Sequence, residues 1–151
     1  MSAWVARSRD RWALLALVLA GCGSRDARRA RVERELLEPY AARLAAGDWA
    51  GARDAFTTSA YRGRVPDAVF LAGQARNRDT WGGLTRLRLA GDALEEVEDP
   101  VDGDVLRAVV LWEGGSGSAE AVFDLQQESG QWKITRSWYW PSGGSGVERV
   151  F

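Results

Sequence analysis

With 151 residues, 20 basic against 21 acidic side chains and one cysteine, the chain has room for one domain with one core, and no net charge draws it to nucleic acid. It has no histidine at all. Serine–histidine and cysteine–histidine nucleophiles are therefore excluded, and no imidazole set remains for a transition metal, so neither a metal site nor a cofactor is expected.

Arg7, Arg9 and Arg11 precede nine apolar residues, Trp12 to Ala20, and small residues close the run. That is the layout of a secretory signal peptide over residues 1–21. The run is under half of the roughly 20 apolar residues that a membrane-spanning helix needs, so it is not expected to remain as a span. Leu19-Ala20-Gly21-Cys22, which closes it, resembles the lipobox of bacterial lipoproteins at every position. The resemblance implies cleavage before Cys22, acylation of its thiol, and anchoring in a lipid bilayer without a transmembrane helix. Gly23 and Ser24 follow where an inner-membrane retention signal would carry Asp, which implies the periplasmic face of an outer membrane. Two or three acyl chains would anchor stably where one is marginal. Removing residues 1–21 takes away three arginines and one aspartate and leaves a mature chain near −3.

Residues 22–30 then read as the lipidated cysteine and a tether. Arg25, Arg28, Arg29, Arg31 and Arg34 suit either anionic headgroups or a solvated first helical turn. Between Arg31 and Ala46, Val32, Leu36, Leu37, Tyr40, Ala41 and Leu44 recur at three- and four-residue intervals and predict a helix, with a kink or restart at Pro39. Gly47 suits a left-handed cap, and Asp48 is placed to cap a second helix carrying Trp49, Ala52, Ala55 and Phe56. An irregular stretch is expected over 61–65, then a third helix from Pro66-Asp67 to about Arg78. After Gly82-Gly83 the apolar period falls from 3.6 to 2 and predicts strands. Leu87 and Leu89 alternate with Arg86 and Arg88, Gly91 marks a bulge or bend, and 99–104 is a turn by composition. Residues 105–113 are apolar on both faces apart from Arg107 and predict a central strand; 119–126 alternate again. The last strand, 132–140, puts Trp132, Ile134, Arg136, Trp138 and Trp140 on one face and Lys133, Thr135, Ser137 and Tyr139 on the other. Pro141 ends it, and 142–151 read as a flexible tail.

Two or three helices followed by a curved antiparallel sheet of about four strands is an α+β arrangement. Tyr40 to Phe56 with its Gly47-Asp48-Trp49 junction, Trp81-Gly82-Gly83-Leu84, and Gly130-Gln131-Trp132-Lys133-Ile134 resemble the NTF2-like superfamily, a cone-shaped cystatin-like fold, over the domain at 31–141. The superfamily includes isomerases, dehydratases and non-catalytic binding modules, so the resemblance does not choose among them. Its ketosteroid-isomerase-like members use an Asp base with a Tyr or Asp donor in the cone. Here Tyr40, Tyr61 and Tyr139 are available, but Asp54 and Asp124 fall off the faces expected to line the interior, and no catalytic residue is assigned.

Of the 8 tryptophans, three share the predicted face of the last strand. Either they fill the core, or Trp112, Phe123, Trp132, Trp138 and Trp140 line the mouth of the cone with Arg136 in its wall. Arg136 in such a face would hold an anionic group, pair with a helix carboxylate, or sit at an open rim. The sequence thus predicts a lipid-anchored envelope protein whose domain is a non-catalytic binding or accessory module, meeting an apolar or anionic small ligand or another envelope protein. The alternatives are an isomerase- or dehydratase-type enzyme and a structural docking subunit.

Overall fold

A computed structural model describes residues 24–139. The expected signal segment at 1–21, Cys22, Trp140 and the expected tail at 142–151 lie outside the described residues. Among the described residues no helix is long and apolar enough to cross a membrane.

The first helix, α1, already runs from residue 24, so the expected tether is helical over most of its length, and it continues to Ala45. Pro39 neither breaks it nor opens a loop. A widened π turn over Glu33–Leu37 comes first, in which the Glu38 amide donates to the Glu33 carbonyl five residues back. Proline, with no N–H to give, then falls in the first turn of the α segment Glu38–Ala45. The extra residue in that turn also lets two neighbours, Leu36 and Leu37, both reach the core beside Val32, Tyr40 and Leu44.

Gly47 has φ +77°, the left-handed value that a residue with a Cβ resists, and closes α1. Asp48 caps α2 (Trp49–Phe56) through the Gly51 amide at 3.1 Å. Where an irregular stretch was expected, the Thr58 hydroxyl accepts from the Tyr61 amide at 3.0 Å and starts a short helix, α3 (Ser59–Arg64). That local cap outweighs the weak apolar pattern. The next helix, α4 (Asp67–Trp81), runs three residues past the expected end and stops at Gly82. There are four helices in all among the described residues, against the two or three expected.

Four strands follow in a sheet of order β1-β2-β3-β4, every pair antiparallel: β1 (Leu84–Asp99), β2 (Gly103–Gly114), β3 (Ser118–Glu128) and β4 (Gln131–Tyr139). The fold is α+β, helices followed by an antiparallel sheet. Gly91, at φ +58°, lies where the β1–β2 register shifts between Leu89 and Leu94, the bulge expected there. Leu87, Leu89, Ala108, Val110, Phe123, Leu125 and Ile134 point to the helices and build one core with α1, and the Tyr40 ring meets Phe123 edge-on at 6.4 Å.

β4 departs from strict alternation. Leu125 pairs with Ile134 but Asp124 pairs with Arg136, so Thr135 is an extra residue. The junction between α2 and α3 anchors it there: the Thr58 amide donates to the Ile134 carbonyl at 2.9 Å, and the Thr58 and Thr135 hydroxyls meet at 3.2 Å. A one-residue bulge inverts every side chain beyond it. Trp132 and Ile134 keep the helix side, Ser137 joins them, and Arg136 and Trp138 turn to the opposite face.

Candidate functional site

The five described residues of the sequence-derived pocket are therefore not brought together. Phe123 is fully buried in the core, and Trp112, 2 % exposed, stacks at a tilt on Trp81 with ring centroids 5.4 Å apart. Trp132 lies at the opposite end of the strands, Arg136 and Trp138 occupy the face without helices, and Trp140 lies outside the described residues.

Arg136 bridges two carboxylates of the β1–β2 turn, Asp99 at 3.2 Å and Asp102 at 3.1 Å. Arg64 reaches Asp102 at 2.8 Å and the Thr135 carbonyl at 2.7 Å. Beside them Arg107 forks onto Asp124, Nε to Oδ1 at 2.9 Å and Nη2 to Oδ2 at 3.1 Å, with its guanidinium 4.9 Å from the centre of the Trp138 ring. Asp124 has no exposed side-chain surface, although it alternates away from the helices as the sequence indicates. The amides of Asp102 and Val101 donate to Asp99 and, with Arg136 adding to them, hold its carboxyl below the usual carboxylate range. These carboxylates are engaged by arginines and, at Asp99, by backbone amides, which suits them to holding the β1–β2 turn against β3 and β4. Of the readings open for Arg136, this is the ion pair, made with a turn rather than with a helix.

Tyr40 and Tyr61 are 0 % and 2 % exposed. Both lie in the core, where burial raises Tyr40 well above its ordinary value and pushes Tyr61 up to about 12. The side chain of Tyr139 lies outside what is described.

A cleft of about 850 Å³ opens where the N-terminal turns of α1 meet the far ends of the β1–β2 and β3–β4 hairpins. Leu106, Leu125 and the half-buried Trp132 line it, and the buried Trp132 Nε1 has no hydrogen-bond partner. Arg28 and Arg31 stand at its mouth. Arg28 ion-pairs with Glu96 across it, while Arg31 holds Glu35 at 2.9 Å and the Gly130 carbonyl at 3.3 Å. With Glu96, Glu98, Asp104, Gln126 and Gln127 also around it, the cleft joins a short apolar wall to a rim carrying both charges, which suits a small amphiphilic molecule. Among the described residues of the predicted pocket, Trp132 alone lines this cleft. The arginines read as a tether supply its rim, and nothing local in the sequence brings them to the hairpin ends, because that contact joins residues about 70 positions apart such as Arg28 and Glu96. Compared with known proteins, the chain matches no family model, no curated protein and no solved structure.

Proposed function

We propose that this is a lipid-anchored cell-envelope protein, held at the periplasmic face of an outer membrane through acylated Cys22, whose NTF2-like domain is a non-catalytic binding module for an apolar or amphiphilic small molecule. The observation that carries the reading is the 850 Å³ cleft with Leu106, Leu125 and Trp132 in its lining and arginines at its mouth. α1 leads into that mouth from residue 24, two positions after Cys22, so an acylated Cys22 would keep the opening close to the bilayer. An isomerase or dehydratase would need an unpaired carboxylate beside a donor in a cavity. The buried carboxylates Asp99, Asp102 and Asp124 instead face arginines outside the core.

Native mass spectrometry of the protein purified from its host tests the binding claim. A retained small molecule that is lost in a Trp132→Ala variant supports it, and an empty domain that binds none of a panel of fatty acids and related amphiphiles overturns it. The anchor is tested separately by palmitate labelling. Label in the wild type and none in Cys22→Ser supports it, whereas an exported, cleaved and unlabelled wild type makes the protein a soluble secreted one.

A further inference from the structure

The charges around the cleft at the hairpin ends are unevenly answered. Its two arginines are already engaged, Arg28 by Glu96 across the mouth and Arg31 by Glu35 at 2.9 Å and the Gly130 carbonyl at 3.3 Å. Two carboxylates of the lining, Glu98 and Asp104, have neither an ion pair nor a hydrogen bond to their side chains among the described residues. They are direct cross-strand partners near the end of the β1–β2 ladder. Alternation puts both on the helix side of the sheet: Glu98 stands two residues after Glu96, Asp104 two before Leu106, and Glu96 pairs with Leu106, which is buried in the core. Like charges directly opposite each other in an antiparallel pair, their β-carbons about 5 Å apart, weaken the pairing. This pair therefore does not serve the hairpin that carries it.

Beside the two acids the floor of the cleft is apolar. Leu106 pairs with Leu125, and Gln127, two residues beyond Leu125, pairs with Trp132, so the floor runs from Glu98 and Asp104 over the two leucines to the indole. β2 and β4 lie two strand spacings apart, which sets Asp104 and Trp132 about 10 Å from one another. A negative headgroup would meet Arg28 and Arg31 only by breaking the pairs they make, whereas a positive one meets two unpaired carboxylates. Among the described residues no group of three or more acidic or thiol side chains is arranged to hold a metal ion, and two carboxylates match an ammonium with its three donors better than a metal that needs more ligands. We propose that the cleft takes a cationic amphiphile, a primary alkylammonium whose head lies between Glu98 and Asp104 and whose chain runs over Leu106 and Leu125 to Trp132. The inference rests on the reading of this cleft as a binding site and adds to it the sign of the ligand's charge.

The test uses the full chain in a neutral detergent and three probes of one chain length, octylammonium, octanoate and octanol, read on the Trp132 indole N–H resonance in a proton–nitrogen spectrum. Trp132→Phe identifies that signal. Octylammonium should move it saturably in the millimolar range, and octanoate should bind at least about tenfold more weakly. Glu98→Gln combined with Asp104→Asn should weaken octylammonium about tenfold and leave octanol unchanged, and added salt should narrow the gap between those two probes. The double variant should also melt no earlier than the wild type, because it removes a like-charged pair. Octanoate or octanol binding as tightly as octylammonium, or a double variant that binds octylammonium as the wild type does, would overturn the proposal and leave the cleft a binding site of another specificity. A double variant that melts well below the wild type would overturn it too, by assigning the two carboxylates to the hairpin. No saturable shift with any of the three probes would overturn the proposal together with the binding reading on which it rests.

Discussion

On the helix side of the sheet, Ala108, Val110, Phe123 and Leu125 are fully buried among α1 side chains. On the opposite side of the same two strands Asp124 is as deeply buried, but beneath Arg107 and beside Arg136. Equal burial rests on different forces. The first face gains from removing apolar area from water and from close packing, roughly in proportion to area. The second has to recover the cost of desolvating a carboxylate through a two-point guanidinium contact, and pairs of this kind come close to breaking even against apolar residues of the same shape. Deletions on the helix side should therefore cost what the side chain contributed. Deletions on the open side should cost according to which partner is left behind.

The largest effect is expected at Phe123. Phe123→Ala removes a fully buried ring that meets Tyr40 edge-on, and should destabilise by about 3–5 kcal/mol in denaturant titration. A loss below about 1 kcal/mol would mean that the helices do not pack on this face as described.

The open face should respond next, and less simply. Arg107→Leu leaves Asp124 buried with only its cross-strand neighbour Arg136 to answer it, and should cost about 2–4 kcal/mol. The lower end is expected because the Arg107 side chain keeps 32 % of its surface in water. Adding Asp124→Leu to that variant should recover most of the loss, since no stranded charge remains. Failure of the double variant to recover would show that the pair positions β2 and β3 and does not merely neutralise a buried group. The Arg136 network should be more tolerant of a single deletion, because Asp99 keeps two backbone donors and Asp102 keeps Arg64.

The last strand separates what the sequence disclosed from what it withheld. The α+β order, the break at Gly82-Gly83, the cap at Asp48 and the bulge at Gly91 all rest on local chemistry, and local chemistry is legible in a single chain. The bulge at Thr135 rests on a hydrogen bond from Thr58, 77 positions away, and no periodicity within β4 records it. Strict alternation therefore places Arg136 and Trp138 with Trp132, whereas the structure parts them. The large cleft was hidden for the same reason: of its lining only Trp132 stood out as a pocket residue, Arg28 and Arg31 having been read as tether and first helical turn, and the site is assembled by the return of two hairpins onto the start of α1. A third substitution tests this division along one strand. Ile134→Ala, at a fully buried position, should cost about 2–5 kcal/mol, while Trp132→Ala, in a half-buried cleft wall, should cost about 1–2 kcal/mol despite the larger side chain. A reversed order would return Trp132 to the core and close the cleft.

The smallest effect concerns a carboxylate that is not buried, and it sharpens the comparison by isolating charge from burial. Glu128 Oε1 accepts the Ser59 amide at 3.0 Å and the Ser59 hydroxyl at 2.7 Å, and Oε2 pairs with Lys133 at 3.2 Å. The Ser59 amide, then its hydroxyl, and after them Lys133 pull the Glu128 pKa from 4.5 down to about 2. A group whose folded pKa is depressed stabilises the fold fully above its unfolded value and loses that contribution as pH falls through the folded one, here from about 4.5 to about 2. With 30 % of its side chain in water, Glu128 should contribute under about 1 kcal/mol at neutral pH. Glu128→Gln keeps an acceptor for Ser59 and removes the charge. The difference between wild type and variant in denaturant titrations should therefore be small and constant above pH 5, shrink through pH 4 and 3, and vanish near pH 2. Asp99 titrates in both proteins and cancels in that difference. A gap that persists unchanged at pH 2 would assign the effect to the shape of the hydrogen bonds at the start of α3 and not to the charge.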